Sequence, residues 1–163
     1  GRVVEFRPLL PSDEFSYRNF YYSLKGQTIY YRFFHKKRIF SHAMLQKQWS
    51  SVDYRKNMSI IGLVRDKGRK EFMAIGSYAR GEDDKRAEVA FVVREDFQNM
   101  GVTSNLLQIL ERIAIENDYK GFCATVLAEN TAMLHIFKKR YPNAIFKRES
   151  GNEVYVIMDF DLS

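Results

Sequence analysis

The strongest chemical signal in the sequence is a glycine between a short loop and the start of a long helix. The segment is AEVAFVVREDFQNMGVTSNLLQILERIA, with Gly101 where the loop meets the helix. Backbone N–H groups in a first helical turn lack intrahelical partners, and the helix dipole adds partial positive charge there. Glycine lets the backbone approach an anion closely, so we expect a phosphate site around Gln98 to Thr103. The alternative is an ordinary connection between a strand and a helix.

Cysteine and histidine offer other chemistry, but their contexts argue against it. Cys123 lies in the apolar run FCATVL, which favours a buried thiol over an acyl-carrying nucleophile. His35, His42 and His135 share no metal-ligand spacing with cysteine or carboxylate residues, so we expect no metal site. The basic run His35 to Arg38 follows several aromatic residues, which leaves RNA binding open as a hypothesis. We favour a solvated helix end there, and hence no nucleic-acid partner.

The apolar pattern places these groups in one domain of helices and strands. Strands are predicted for VVEFRPL, MSIIGLVR, EFMAIGSYARG, AEVAFVV and FCATVLA, with a last hairpin in AIFKRE and NEVYVIMDF. Helices are predicted for DEFSYRNFYYSLK, from Thr28 onward, from Ser41 to Trp49, from Gly101 to Asp118 and from near Asn130. Ser12 is the expected N-cap of the first helix and Gly26 its end. We predict a single α+β domain over residues 1–163, with a mixed, mostly antiparallel sheet flanked by helices.

The composition is that of a basic globular domain. The chain has 163 residues, 45% of them hydrophobic, and 26 Lys and Arg against 20 Asp and Glu. Its formal charge of +6 favours polyanionic partners. No apolar run reaches the roughly 20 residues of a bilayer span and no secretory signal is visible, so we expect no membrane partner. A single cysteine suits the reducing cytoplasm, and Gly1 ahead of a coherent pattern predicts excision from a longer chain.

QNMGVT resembles the QxxGxG or QxxGxA pyrophosphate-binding loop of the GNAT N-acetyltransferases. FRPLLPSD, the hairpins from Met58 to Gly81 and VLAENTAMLHIFKK are similar to other parts of the family pattern, so the resemblance covers most of the chain. AEVAFVV and AENTAML resemble bacterial protein-lysine acetyltransferase domains, including domains fused to acyl-CoA-handling enzymes. The resemblance implies acetyl-CoA as co-substrate and an amine acceptor, either a small molecule or a protein lysine. We expect acceptor choice to depend on the helices from Tyr17 to Trp49 and on the last hairpin.

The resemblance also implies roles for individual residues. The end of the fourth strand would pair its backbone with the pantetheine arm, whose amides resemble a peptide. Glu88 matches the general base of several lysine-acetylating members; its alternative role is a surface glutamate paired with Arg86 or Lys85. Asn130 matches a position that bonds the pantetheine arm, with a plain helix N-cap as the alternative. The implied cofactor-binding residues are Phe91, Val92, Val93, Gln98, Asn99, Met100, Gly101, Val102, Thr103, Ser104, Asn130 and Phe137.

Three residues depart from the family pattern. Thr103 replaces the last glycine or alanine of the loop, so its β-branched side chain must fit against the pyrophosphate or point away. Met100 replaces the usual basic residue, and Lys138 and Lys139 are candidates to supply the missing charge. Phe137 stands where many members carry a tyrosine that protonates the leaving thiolate, so we assign no general acid. These departures keep a non-catalytic acetyl-CoA-binding regulatory module as the alternative to an enzyme.

Overall fold

The computed structural model describes residues 3–33, 57–81, 83–149 and 151–162, and the predicted helix from Ser41 to Trp49 lies outside them. The strands are β1 (Val4–Pro8), β2 (Met58–Asp66), β3 (Arg69–Arg80), β4 (Arg86–Val93), β5 (Gly121–Leu127), β6 (Ile145–Arg148) and β7 (Glu153–Asp159). The helices are α1 (Glu14–Ser23), α2 (Gly26–Phe33), α3 (Val102–Glu116) and α4 (Thr131–Arg140). No helix within these ranges has the length and apolar content that a bilayer crossing requires.

All seven strands form one sheet in the order β1-β2-β3-β4-β5-β7-β6. Every neighbouring pair is antiparallel except β4 and β5, which are parallel because α3 carries the chain back between them. The predicted α+β fold with a mixed, mostly antiparallel sheet is therefore confirmed. β5 pairs with β7 along its whole length, but it pairs with β4 only from Arg86↔Gly121 to Glu88↔Cys123.

Apolar side chains on both faces of the sheet form two cores. Strand residues alternate between faces, so Phe91 and Val93 of β4 join the core beneath α3 and α4 while Val92 joins the core beneath α1 and α2. Leu106, Leu110 and Ala114 form the buried stripe of α3, as its predicted helical spacing requires. Helices α1 and α2 therefore cover one face of the sheet, and α3 and α4 cover the other face.

Two predicted helix boundaries near the N-terminus are wrong. A 3-10 turn at Pro11–Asp13 precedes α1, so Ser12 is not its N-cap. Asp13 organises this turn, because its carboxylate accepts two hydrogen bonds from Arg7, at 2.8 and 2.9 Å, and one from the Leu10 N–H at 2.7 Å. Gly26 begins α2 rather than ending α1, which stops at Ser23.

Candidate functional site

The separation of β4 from β5 opens a cleft in the middle of the sheet. After the Glu88↔Cys123 pair the two strands diverge, and residues 89–93 of β4 and 124–126 of β5 line a cavity of about 250 Å³. Backbone groups on a strand edge that has lost its neighbour can pair with an added extended chain. A chain of secondary amides, such as the arm of pantetheine, fits this requirement.

The loop before α3 closes one end of the cavity and presents backbone N–H groups to it. Gly101 precedes α3 in the left-handed conformation, with φ of 80°, which glycine adopts without steric cost. The first helical hydrogen bond runs from the Asn105 N–H to the Gly101 carbonyl, at 3.1 Å. The N–H groups of Val102, Thr103 and Ser104 come before that bond, so they lie at the positive end of the helix dipole. This geometry can bind a phosphate.

Helix α2 is fastened to this loop by side-chain hydrogen bonds. Glu95 Oε1 accepts from the Lys25 N–H at 2.6 Å and from the Thr28 hydroxyl at 2.9 Å. Gln98 Nε2 donates to the Val93 carbonyl at 2.9 Å and to Thr28 Oγ1 at 3.3 Å. The loop and the start of α2 therefore share one polar network, although about 70 residues separate them in the sequence.

Three residues of α2 line the cavity without having been predicted as part of the site: Thr28, Tyr31 and Arg32. Their helical spacing was visible in the sequence, since Thr28 and Arg32 are four positions apart and share a face. The sequence of α2 alone does not predict that this helix contacts the loop before α3. The contact depends on hydrogen bonds from Thr28 to Glu95 and from Gln98 to Thr28.

The structure brings nearly all the predicted cofactor-binding residues to this one cavity. Those that line it are Phe91, Val92, Val93, Gln98, Asn99, Gly101, Val102, Thr103, Ser104, Asn130 and Phe137. Met100 is the exception, with 68% of its surface exposed and no part in the lining. Lys138 and Lys139 are exposed on α4 and are likewise absent from the lining.

Asn130 and Phe137 each combine a structural role with a place at the cavity. The Asn130 side chain accepts a hydrogen bond from the Met133 N–H at 3.3 Å, which makes it the N-cap of α4. The Phe137 side chain is 1% exposed, and its ring centroid lies 6.3 Å from that of Phe91. Both residues still face the cavity from the α4 side.

Glu88 lies at the point where the strands separate, just outside the cavity lining. The Arg86 guanidinium bonds instead to Asp159, at 2.7 and 3.1 Å, and contacts Asp83. Within the part of the chain that the structure describes, Glu88 forms no ion pair and its side chain is exposed. The alternative role, a solvent-facing strand glutamate paired with Arg86 or Lys85, therefore agrees with the exposure of Glu88, but neither pairing occurs among the described residues.

Cys123 is adjacent to Glu88, yet its environment makes the thiol unreactive. The residue is 4% exposed, as its apolar flanks predicted. Burial raises the pKa of the Cys123 thiol, and a hydrogen bond with Tyr155 offsets part of this rise. A thiol that stays protonated is a poor nucleophile, so Cys123 is unsuited to carrying an acyl group.

Within the described residues, the sheet opens between its one parallel strand pair beside a helix start at Gly101, and this arrangement suits a ligand that has an amide chain and a pyrophosphate, as acyl-CoA has. The chain belongs to the acetyltransferase (GNAT) family, which matches residues 16–141. The resemblance inferred from QNMGVT is thereby confirmed. This membership supports transfer of an acyl group from acyl-CoA to an amine, with acetyl-CoA as the family's usual co-substrate.

Individual relatives agree with the family assignment. An acetyltransferase of Pseudomonas aeruginosa is 29% identical over 133 residues, which span 82% of this chain and 71% of that protein. The solved GNAT domain of S. lividans PAT is 25% identical with a TM-score of 0.82, over 98% of this chain and 96% of that one. A variant of the cAMP-binding acyltransferase from Mycobacterium smegmatis is 26% identical with a TM-score of 0.62. The match spans 98% of this chain but only 44% of that protein.

Proposed function

We propose that this domain transfers an acetyl or other short acyl group from acyl-CoA directly to a primary amine within a ternary complex. The observation that carries the proposal is the Glu88↔Cys123 pair, which ends the β4–β5 ladder beside the cavity. The pantetheine arm would lie along residues 91–93 with its pyrophosphate on the N–H groups before α3. Its thioester would then lie towards the strand junction, near Glu88.

Glu88 is the proposed general base. A lysine amine has a pKa near 10.4, so only about one molecule in a few thousand is neutral at pH 7. The Glu88 carboxylate would take a proton from the lysine ammonium, so that the neutral nitrogen can bond to the thioester carbonyl carbon, and the second proton lost from this nitrogen would pass to solvent. The carbon–sulfur bond then breaks and CoA leaves as a thiolate. A thiol pKa of about 8.5 allows that departure without a dedicated acid.

The acceptor would approach from the side of the sheet that carries α1 and α2. Glu88 shares this face with Val92, because alternate strand residues point the same way, and Val92 packs in the core beneath these two helices. We propose a protein lysine as the acceptor. The exposure of the Glu88 side chain, which leaves its carboxylate accessible to an acceptor as bulky as a protein, supports this choice.

The proposed setting is the cytoplasm, as one part of a larger protein. The free, buried Cys123 is compatible with a reducing compartment. The likeness to less than half of a longer acyltransferase supports the idea of additional domains. A regulatory module that binds acyl-CoA without turnover would not need an exposed carboxylate at the strand junction, so Glu88 favours the enzyme.

The direct test is amine-dependent release of CoA thiol from acetyl-CoA, with mass spectrometry to identify the acetylated product. The acceptors are lysine-containing peptides, single amino acids, polyamines and proteins of a crude lysate. Release that requires both the domain and an amine supports the proposal. Tight acetyl-CoA binding without release on any acceptor would replace it with the regulatory module, and absence of binding would overturn both.

A further inference from the structure

The cavity contains one formal positive charge among its described lining residues, and that charge belongs to Arg32 of α2. The pyrophosphate of acyl-CoA carries negative charge, yet the loop from Gln98 to Ser104 contains no lysine or arginine. Met100, which replaces the usual basic residue of the family, is exposed and does not line the cavity. A cation from outside the loop would therefore strengthen phosphate binding considerably.

Arg32 is held close to the loop by the attachment of α2. Thr28 contacts Gln98 directly, with 3.3 Å between Nε2 and Oγ1. Arg32 follows Thr28 by one helical turn on the same face, which places the two Cβ atoms roughly 6 Å apart. Both residues line the cavity together with Asn99 and Gly101. An arginine side chain is long enough to cover the remaining distance to an anion on this loop.

Two buried tyrosines of α1 lie within electrostatic reach of Arg32. The rings of Tyr17 and Tyr21 are 5.0 Å apart, and both are buried. Burial raises the pKa of Tyr21, and the positive charge of Arg32 lowers it in part, so the guanidinium lies near this ring. Both tyrosines are neutral at pH 7, because burial raises their pKa values. Partial burial also strengthens the attraction between Arg32 and a phosphate.

We propose that Arg32 binds a phosphate oxygen of the acyl-CoA pyrophosphate and so replaces the basic residue missing at Met100. A guanidinium is suited to this task, because its planar donors match two oxygens of a phosphate at once. The inference rests on the proposed function in one respect, that acyl-CoA binds in the β4–β5 cavity. Helix α2 lies on the face from which the acceptor would approach, and the proposed role of Arg32 means that this helix also contributes directly to cofactor affinity.

The test measures dissociation constants by calorimetry for acetyl-CoA and for acetyl-dephospho-CoA, which keeps the pyrophosphate but lacks the ribose 3′-phosphate. The variants are Arg32→Gln and Arg32→Lys, with Lys138→Gln as a matched loss of charge outside the cavity. We expect Arg32→Gln to weaken both ligands by about tenfold or more, and by the same factor. Arg32→Lys should retain part of the affinity, and Lys138→Gln should change it less than about twofold.

The salt dependence of binding separates a lost ion pair from a distorted site. The affinity of Arg32→Gln should fall less steeply with salt than that of the wild type, whereas a merely structural defect leaves the slope unchanged. A loss seen with acetyl-CoA but not with acetyl-dephospho-CoA would assign Arg32 to the 3′-phosphate and overturn the proposal. Unchanged affinity for both ligands would also overturn it and leave Arg32 to the acceptor. If the wild type binds neither ligand, the proposed function itself fails.

Discussion

Glu88 on β4 lies opposite Cys123 on β5 in the last parallel pair before the two strands separate. One member of this pair is an exposed carboxylate and the other a buried thiol. Burial raises the pKa of the Cys123 thiol and so disfavours its thiolate, whereas the Glu88 carboxylate is accessible to a molecule that reaches the strand junction. The pair therefore fits the proposal that Glu88 takes the proton and that the acceptor amine attacks the thioester directly.

We predict that Glu88→Gln lowers turnover by about a hundredfold at pH 7, with acetyl-CoA affinity unchanged. The amide keeps the size of the side chain but cannot take the amine proton. The difference in turnover between Glu88→Gln and the wild type should become smaller towards pH 10, because more of the lysine amine is then already neutral. Steady-state rates across this pH range provide the measurement, with the exposed Glu116→Gln on α3 as control. An equal fall in turnover and in cofactor affinity would indicate a structural role for Glu88.

Gly101→Ala should weaken acetyl-CoA binding by about tenfold or more. An added Cβ would meet no protein atom within 4 Å, so any steric conflict would be with the bound phosphate rather than with the protein. The substitution also strains the backbone, since φ is 80°. That strain should lower the free energy of unfolding by about 1 kcal/mol.

Gly68 provides the matched control for Gly101. It has the same φ of 80° and the same open space around a Cβ, but it lies in the turn between β2 and β3, away from the cavity. Gly68→Ala should therefore cost similar stability and leave the dissociation constant for acetyl-CoA unchanged. If calorimetry shows the same affinity for both variants and the wild type, the phosphate does not bind at Gly101.

The sequence was sufficient to predict features that depend on local chemistry. Gly101 was identified because a glycine at a helix start is a local signal for close approach of an anion, and α3 because its apolar stripe is regular. The site at α2 was not predictable in the same way. The Thr28 hydroxyl donates a hydrogen bond to Glu95 across the fold. The apolar periodicity of a sequence does not predict contacts between such distant positions. The prediction of Ser12 as an N-cap was wrong because it, too, did not include a contact between separate elements. The Arg7–Asp13 contact stabilises a 3-10 turn that contains Ser12.

The Arg7–Asp13 contact should make stability depend on pH in the acid range. Hydrogen bonding to Arg7 lowers the pKa of Asp13, which is 7% exposed. The ionised Asp13 therefore contributes fully to the free energy of unfolding at a pH above 3.8, the usual pKa of an aspartate. This contribution is lost as the pH falls through the lowered pKa of Asp13 in the folded state. We predict that Asp13→Asn lowers the free energy of unfolding by about 1–3 kcal/mol at pH 7, with the difference shrinking in strong acid.

Urea titrations at several pH values measure this effect, and Asp84→Asn is the control. Asp84 also pairs with an arginine, Arg80, but its side chain is 79% exposed. Exposed pairs contribute little, so Asp84→Asn should change the free energy of unfolding by less than about 1 kcal/mol. If the free energy of unfolding lost in Asp13→Asn stays constant down to strong acid, the loss comes from packing rather than from the charge of Asp13.

Phe137→Tyr should change the rate of acetyl transfer by less than about tenfold, or about 1.4 kcal/mol in the barrier. The family's usual phenol is absent here, but a thiol of pKa about 8.5 can depart as thiolate near neutral pH. Phe137 packs against Phe91 and also faces the cavity, where we expect its ring to contact the thioester end of the pantetheine arm.

The measurement for Phe137 is single-turnover transfer at saturating acetyl-CoA, with Phe137→Leu as the control. Leucine removes the ring without adding a hydroxyl, so it reports the cost of lost packing, about 1 kcal/mol or more in the free energy of unfolding. A wild type inert towards every amine, alongside an active Phe137→Tyr, would show that the missing acid is decisive. The native domain would then be an acyl-CoA-binding module, and the exposed carboxylate of Glu88 would need another explanation.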